Sequence, residues 1–192
     1  MKLIGFTGAG GTGKSTVAQI LGNNVPSHVD ATRKMIYGKN AKYGDLKTIE
    51  FVTFQHLILE IQLYAEIVTL KNSSRNTAII PVERSSIDYA AYVLNQKSIE
   101  SDWSKDLKLL AEQYVVKCID HANSTYQGIV YFPINKFSLP SDERTSKENN
   151  PQSIEKTDHY VQELLTRLTI PVLTLKTVNK EDRVKEILEY FG

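Results

Sequence analysis

The sequence predicts an α/β fold in which a parallel sheet is covered by helices on both faces. Short apolar runs typical of buried strands alternate with segments of helical period along the whole chain, the order that such sheets require. A glycine-rich turn joins the first strand to the first helix. The length of 192 residues, with 41% hydrophobic and 23% charged residues, suits one globular domain over residues 1–192.

Apolar patterning defines the elements of the first half of the chain. Val29 is the main strand-forming residue of a predicted second strand that ends in an acid, and Asn72 begins the polar stretch that ends a long helix. In chain order the predicted elements are a strand over 2–7, a helix over 14–22, a short strand over 27–30, a helical turn over 33–37, a helix over 46–71 and a strand over 77–82.

The second half continues the alternation. It contains, in order, helices over 86–95 and 102–121, a strand over 128–132, a helix over 155–168, a strand over 171–175 and a helix over 180–190. Residues 138–152 are polar and have no apolar period, which predicts a loop or a mobile lid. Right-handed crossovers place the carboxyl ends of all the strands at one edge, where ligands bind in such sheets.

Charge and cysteine content narrow the class of protein. Lys and Arg number 23 and Asp and Glu number 22, so the net charge of +1 excludes a strongly basic coat for nucleic acid. Cys118 is the one cysteine, which excludes an internal disulfide and suits either a reducing cytosol or a protein that needs no disulfide. Because it lies on a predicted helix with an apolar face, we expect it in the core and not at a redox site. No apolar run approaches the roughly 18 residues that span a bilayer, so we expect a cytoplasmic protein without membrane contact.

The most specific feature is a phosphate-binding motif between the first strand and the first helix. Its residues, Gly8-Ala9-Gly10-Gly11-Thr12-Gly13-Lys14-Ser15, fit G-x-x-x-x-G-K-[ST] at every fixed position. Glycines let the backbone N–H groups converge on phosphate oxygens, and the following helix adds its positive dipole end. We predict that this loop and the adjoining Thr16 bind ATP, with Lys14 on the β- and γ-phosphates and Ser15 as a ligand of Mg²⁺.

Two acids are expected at the edge where this loop binds phosphate. Glu83 ends the predicted strand 77–82, where it can hold Mg²⁺ through water or position the nucleophile. Asp30 ends the predicted strand 27–30, where its carboxylate can accept the proton of an attacking hydroxyl. The alternative for each is a surface carboxylate or a helix N-cap.

Basic residues complete the predicted site. Arg84 follows the second of these acids and can clamp a phosphate bidentately, and Asp88 lies one helical turn further, where it can orient that arginine or bind substrate. Arg144 lies in the polar segment 138–152, and arginines in the lids of phosphotransferases neutralise developing charge. Arg33 is available to bind a phosphorylated acceptor.

Taken in order, these segments resemble the compact P-loop kinases of the nucleoside and nucleotide kinase superfamily. The likeness is closest to the small domains related to bacterial ribosylnicotinamide kinase, which are also common in phage genomes. Besides the loop, the segments that carry it are Asp30-Ala31-Thr32-Arg33, Phe54-Gln55 with Ile58-Leu59-Glu60-Ile61-Gln62, Glu83-Arg84-Ser85-Ser86-Ile87-Asp88-Tyr89-Ala90-Ala91-Tyr92, the strand Ile129–Phe132, Asp142-Glu143-Arg144 and Glu181-Asp182-Arg183-Val184.

The resemblance implies a three-layer fold with five parallel strands in the order 2-3-1-4-5, helices on both faces and a lid. It also implies ATP and Mg²⁺, with Asp30 as the base and with Arg84 and Arg144 on phosphates. The family often has Glu at the position of Asp30 and Asp at that of Glu83. Both acids therefore remain candidates for the base.

We predict an enzyme that transfers the γ-phosphate of ATP to a hydroxyl of a nucleoside or nucleotide. Four aromatic residues either stack on the acceptor or belong to the core: Phe54, Tyr64, Tyr89 and Tyr92. A homodimer is left open.

Two other functions remain as alternatives. One is a phage kinase that phosphorylates a hydroxymethylated pyrimidine within DNA, which a positively charged groove and salt-sensitive DNA binding would support. The other is a nucleotide-driven switch or ATPase without a small-molecule acceptor.

Overall fold

The computed structural model describes residues 2–37, 48–73, 78–99, 103–135 and 151–192. Within them one to three helices follow each strand. The strands are β1 (Lys2–Thr7), β2 (Ile79–Val82), β3 (Gly128–Tyr131) and β4 (Val172–Thr174). The helices are α1 (Lys14–Leu21), α2 (Val29–Tyr37), α3 (Thr48–Asn72), α4 (Ser86–Ile99), α5 (Lys105–Thr125), α6 (Pro151–Leu165) and α7 (Lys180–Phe191).

These strands form a four-stranded parallel sheet in the order β2-β1-β3-β4. Gly5 of the central strand β1 pairs with Val82 on one side and with Ile129 on the other. All carboxyl ends lie at one edge, where the last residues of β1 and β3, Thr7 and Tyr131, are register partners. The predicted parallel sheet is confirmed, and its carboxyl edge is where the phosphate-binding motif begins.

The prediction of five strands is wrong for the described residues, because the outermost strand is reduced to one bridge between Val25 and Val82. The Val25 N–H donates to the Pro81 carbonyl over 2.8 Å, and the Glu83 N–H donates to the Val25 carbonyl over 2.9 Å. Toward the start of β2, the next bond of a parallel ladder would need the N–H of Pro81, which proline lacks. Toward the end of β2, the Ser27 N–H donates to the Glu83 side chain instead of continuing the ladder. The other four strands keep the relative order that the resemblance implied.

The predicted strand over residues 27–30 is wrong, and Asp30 does not end a strand. It is the second residue of α2, whose first turn is closed by the Thr32 N–H donating to the His28 carbonyl over 2.9 Å. Val29 is the only β-branched residue of that segment, and an aspartate is favoured in the first turn of a helix because it faces the positive end of the helix dipole.

Alternate side chains of the strands pack into two hydrophobic clusters on opposite faces of the sheet. In β3, Ile129 and Tyr131 join the cluster that contains α3, α4, α5 and α6 residues, while Val130 joins the cluster built with α1 and α7. This alternation is the period of two that a sheet buried on both faces produces. The predicted covering of both faces is confirmed, and Cys118 is buried in the larger cluster.

The predicted lid is described only at its end. Residues 138–150 lie outside the described residues, and residues 151–152 begin α6. In the part of the chain that the structure describes, none of the helices combines the length and the hydropathy that crossing a membrane would take.

Candidate functional site

The glycine-rich motif forms the turn between β1 and α1, as its spacing predicts. Gly8, Gly11 and Gly13 have φ angles of 139°, 77° and 94°, a range that side chains other than glycine rarely adopt. Gly13 is the N-cap of α1. Because the first N–H groups of a helix have no partner within it, this N-terminus at the carboxyl edge of the sheet suits an anion such as phosphate.

Two glycines of this turn give a matched test of its backbone. A Cβ added at Gly8 would lie 2.5 Å from the Phe132 carbonyl oxygen, whereas a Cβ added at Gly10 would meet nothing within 4 Å. We expect Gly8→Ala to lower the free energy of unfolding by about 2–4 kcal/mol through the clash and the positive φ. Gly10→Ala should change it by no more than about 1 kcal/mol. Urea unfolding of both variants measures the difference, and equal stabilities would contradict the described turn.

The ammonium of Lys14 lies against the loop itself. Its Nζ donates to the Gly8 carbonyl over 2.5 Å and to the Ala9 carbonyl over 2.8 Å, and the residue is only 6% exposed. Burial lowers the pKa of Lys14 to about 8, opposed mainly by the negative charge of Asp88. The lysine is therefore a weakly solvated cation at the loop, which suits electrostatic stabilisation of phosphate.

Ser15 and Glu83 are brought together from separate elements. The Ser15 hydroxyl donates to the Glu83 carboxylate, whose other oxygen accepts the Ser27 N–H over 3.1 Å. The acid that follows β2 thus bridges the first turn of α1 to the segment that leads into α2. The two residues predicted as metal ligands thus contact each other.

The oxygens of Ser15 and Glu83 are the hard donors that Mg²⁺ prefers. Mg²⁺ is usually held by one or two protein oxygens together with phosphates and water. No cluster of three His, Cys, Asp or Glu side chains suited to a metal occurs among the described residues. The Ser15 hydroxyl and the Glu83 carboxylate therefore fit a Mg²⁺ ion whose other ligands are phosphates and water.

Asp88 supports the start of the loop. One carboxylate oxygen accepts the Thr7 hydroxyl and the Gly8 N–H, each over 2.9 Å, and the residue is 1% exposed. Burial raises the pKa of Asp88, although the charges of Lys14 and Arg84 act in the opposite direction. These contacts connect α4 to the end of β1. They differ from the predicted role of Asp88, which was to orient Arg84 or bind substrate.

Arg84 is half-buried beside Tyr92. Its Nη1 donates to the Tyr92 hydroxyl, and the guanidinium carbon lies 5.5 Å from the centre of the ring. Arg84 also lowers the pKa of Lys14 through its charge, which indicates that the two cations share one region of the sheet edge. The structure therefore places Arg84 against Tyr92, close enough to Lys14 for its charge to act there.

The other aromatic and basic residues of the predicted site differ in how far they are buried. Phe54 and Tyr89 are each 1% exposed and belong to the core, and Tyr64 is 71% exposed on α3. Of the two interpretations given for these aromatic residues, Phe54 and Tyr89 therefore fit the core position and not stacking on the acceptor. Arg33 is half-buried on α2.

Two of the predicted catalytic residues cannot be placed fully. Arg144 lies outside the described residues. For Asp30 the structure describes the backbone in α2 but not the side chain. Its helix begins two residues after Ser27, whose N–H contacts Glu83.

Sequence reasoning missed two buried polar residues near the loop. Asp158 of α6 is 6% exposed and accepts the Tyr131 hydroxyl over 2.7 Å, and its charge acts on the pKa of Lys14. Arg183 of α7 is 4% exposed and donates from Nη1 to the Thr12 carbonyl over 2.7 Å. The available signal for Arg183 was its spacing of four residues from Ile187 on the apolar face of the helix.

A pocket of about 180 Å³ lies on the side of the loop that faces α7. It adjoins the loop and the segment between β4 and α7, and it combines apolar and basic side chains. Its lining residues are Gly11, Thr12, Gly13, Thr16, Val17, Asn135, Val178, Lys180 and Arg183.

Comparison with known proteins agrees with this architecture. Residues 3–183 match the model of a family described as an AAA domain. A solved structure of deoxyadenosine kinase from M. mycoides, with products dCMP and a flexible dCDP bound, is similar with a TM-score of 0.63 and 14% identity, covering 98% of this chain and 97% of that chain. No curated protein is a significant match to the sequence. The likeness establishes a nucleoside-kinase-like P-loop fold.

Proposed function

Because this chain belongs to the AAA domain family, we propose that it transfers the γ-phosphate of ATP to a hydroxyl group of a nucleoside or nucleotide. The observation that carries the proposal is the hydrogen bond between Ser15 and Glu83 at the phosphate-binding loop. It joins the hydroxyl of the motif to the acid after β2, the two groups that phosphoryl transfer uses beside the transferred phosphate. The likeness to a deoxyadenosine kinase structure over 98% of the chain favours a nucleoside-type acceptor.

Lys14 and Arg84 stabilise the charge of the transferred group. On nucleotide binding, the Lys14 ammonium exchanges its bonds to the Gly8 and Ala9 carbonyls for bonds to β- and γ-phosphate oxygens. Because the lysine is buried, little water screens these bonds. Mg²⁺, when bound with the nucleotide, supplies further neutralisation of the β- and γ-phosphates. Arg84 presents a planar guanidinium that binds phosphate oxygens bidentately.

The acceptor loses a proton as its oxygen attacks. The hydroxyl oxygen forms a bond to the γ-phosphorus while the bond to the bridging oxygen breaks and ADP leaves. The proton passes to a carboxylate, for which Asp30 and Glu83 are the candidates. Both oxygens of Glu83 accept hydrogen bonds, from Ser15 and Ser27. We therefore assign metal support to Glu83 and the role of base to Asp30.

We assign the base and ribose of ATP to the pocket of about 180 Å³ between the loop and α7. Val178, which is 47% exposed, provides apolar surface there, and Lys180 provides a positive charge. Ligand sites of this kind combine apolar walls with a few polar groups. The arrangement leaves the α2 side of the sheet edge, with Arg33 and Arg84, for the acceptor.

The lowered pKa of Lys14 predicts a pH profile. Only the protonated lysine attracts phosphate, and its pKa of about 8 means that the free enzyme loses this charge as the pH rises through 8. We expect kcat/KM for ATP to fall by about tenfold per pH unit above that point. The kcat should hold to higher pH, because bound phosphates keep the lysine protonated.

Lys14→Arg is the control for this profile. Arginine stays charged throughout the range, so the decline of kcat/KM above pH 8 should disappear even if the overall rate is lower. A wild-type kcat/KM that is unchanged up to pH 10 would contradict the assignment.

An acceptor screen tests the proposed function. The protein is incubated with Mg²⁺ and ATP labelled at the γ-phosphate, together with nucleosides, nucleoside monophosphates, ribosylnicotinamide, or DNA with and without hydroxymethylated pyrimidines. Label on a small molecule supports the proposal and identifies the acceptor. Label only on modified DNA would replace it by the DNA alternative, and free phosphate independent of any acceptor would indicate an ATPase.

A further inference from the structure

Arg183 is a charged residue buried on the inner face of a terminal helix. It lies one helical turn before Ile187, which is fully buried, and two turns before Phe191. Charged side chains are rarely buried unless their donors are satisfied, because removing them from water is costly. The contacts of this guanidinium therefore require an explanation.

Three contacts hold the guanidinium in one orientation. Nη1 donates to the Thr12 carbonyl over 2.7 Å, and Nε donates to the Thr177 carbonyl over 2.9 Å. The guanidinium carbon lies 5.5 Å from the centre of the Phe132 ring. Arg183 thus connects the phosphate-binding loop to the segments that follow β3 and β4.

The bond to Thr12 controls the direction of a neighbouring N–H group. The described peptide bonds include no cis form, and in a trans peptide the C=O and N–H groups point in opposite directions. Holding the Thr12 carbonyl on the α7 side therefore turns the Gly13 N–H to the opposite side of that peptide. Gly13 has a φ of 94° and no side chain, so little in the residue itself prevents the peptide from rotating.

We propose that Arg183 is a positioning residue for phosphate: it anchors the Thr12–Gly13 peptide so that the Gly13 N–H is offered to the phosphates of the nucleotide. This inference rests on the proposed function, because it takes the loop to be the site of ATP. Arg183 acts through the backbone and not by contact with the reacting atoms. It therefore stabilises the bound nucleotide equally in the ground state and in the transition state of transfer.

Arg183 also lines the pocket assigned to the base, so a direct contact with the base is the competing explanation. Inorganic tripolyphosphate separates the two, because it has the phosphates of ATP without base or ribose. A role in orienting Gly13 N–H affects both ligands. A contact with the base affects ATP alone.

The test compares Arg183→Lys with the wild type by calorimetric titration with Mg²⁺-ATP and with inorganic tripolyphosphate. Lysine keeps the charge but lacks the fork that reaches both carbonyls. We expect the affinity for each ligand to fall by about tenfold to a hundredfold, the size of one charge-assisted hydrogen bond. In kinetics KM for ATP should rise while kcat changes less than threefold, because binding is lost equally in the ground and transition states. Arg167→Lys, at an exposed arginine, is the matched control and should leave both affinities unchanged.

Each result decides the question. Equal affinities of wild type and Arg183→Lys, or a loss confined to ATP, would overturn the positioning role. If the wild type binds neither ligand, the proposed function fails and the inference fails with it, which is a different outcome from a wild type that binds while the variant is unaffected.

A measurement on the wild type covers the case in which Arg183→Lys does not fold. The Gly13 amide resonance should shift downfield on saturation with tripolyphosphate, as expected for an N–H that donates to an anion. A Gly13 amide that does not shift while the ligand binds would overturn the proposal.

Discussion

Lys14→Ala is expected to lower kcat/KM for phosphoryl transfer by on the order of 10³-fold, because it removes a charge that neutralises the transferred phosphate in a buried site. The ammonium lies within 2.8 Å of the Ala9 carbonyl, and Lys14 is the first residue of α1, so its charge lies at the loop that we assign to the phosphates. Steady-state kinetics with the acceptor found by the screen measures the loss. The unfolding temperature should change little, because the cost of burying the Lys14 charge, which lowers its pKa, offsets its hydrogen bonds to the Gly8 and Ala9 carbonyls.

Lys71→Ala is the matched control for this result. Lys71 is an exposed lysine in the last turn of α3, and its removal should leave kcat/KM unchanged. Full activity of Lys14→Ala would refute the assignment of the loop as the phosphate site. Equal losses in both variants would point to a general effect of charge.

Asp30→Asn and Glu83→Gln are expected to fail in different ways. If Asp30 accepts the proton, Asp30→Asn lowers kcat by about 10²–10⁴-fold without changing the Mg²⁺ concentration needed for half-maximal rate. Glu83→Gln keeps the shape of a side chain that contacts Ser15 but removes its charge. It should raise that Mg²⁺ concentration by about tenfold, with a smaller effect on kcat at saturating Mg²⁺. Titration of the rate with Mg²⁺ separates the two effects.

Glu163→Gln, at an exposed acid of α6, controls for the loss of one negative charge and should match the wild type. If Asp30→Asn keeps full turnover while Glu83→Gln loses it at every Mg²⁺ concentration, the roles assigned to the two acids are reversed. An Asp30→Asn defect that added Mg²⁺ restores would place Asp30 on the metal.

The structure confirms the elements that depend on local pattern. The loop lies between β1 and α1 because its motif and its flanking periods are both contiguous in sequence. The long helix α3 and the strands β2, β3 and β4 also lie within a few residues of the predicted bounds, since each is a continuous apolar or amphipathic run. The edge of the sheet was mispredicted, although Pro81 carried a usable signal, because a proline within a strand favours an edge position.

The contacts and roles of individual side chains were harder to predict from the sequence than the helices and strands. The spacing of Asp88 from Arg84 predicts that it orients this arginine or binds substrate. In the structure its carboxylate instead contacts Thr7 and Gly8. Arg183 is separated from Thr12 by 171 positions in sequence. Such contacts arise when helices pack on the sheet, and the apolar pattern within one segment does not predict them.

The sequence by itself determined the α/β class, the phosphate-binding loop and the candidate acids, because these depend on contiguous residues whose backbone preferences and spacing are local. Only the tertiary structure decided that Glu83 meets Ser15, that Asp88 supports the loop and that Arg183 anchors the Thr12 carbonyl. It also decided that the fifth strand reduces to one bridge at Val25. The physical reason is that these contacts join segments distant in the chain, and crossover connections and packing, rather than local preference, bring them together.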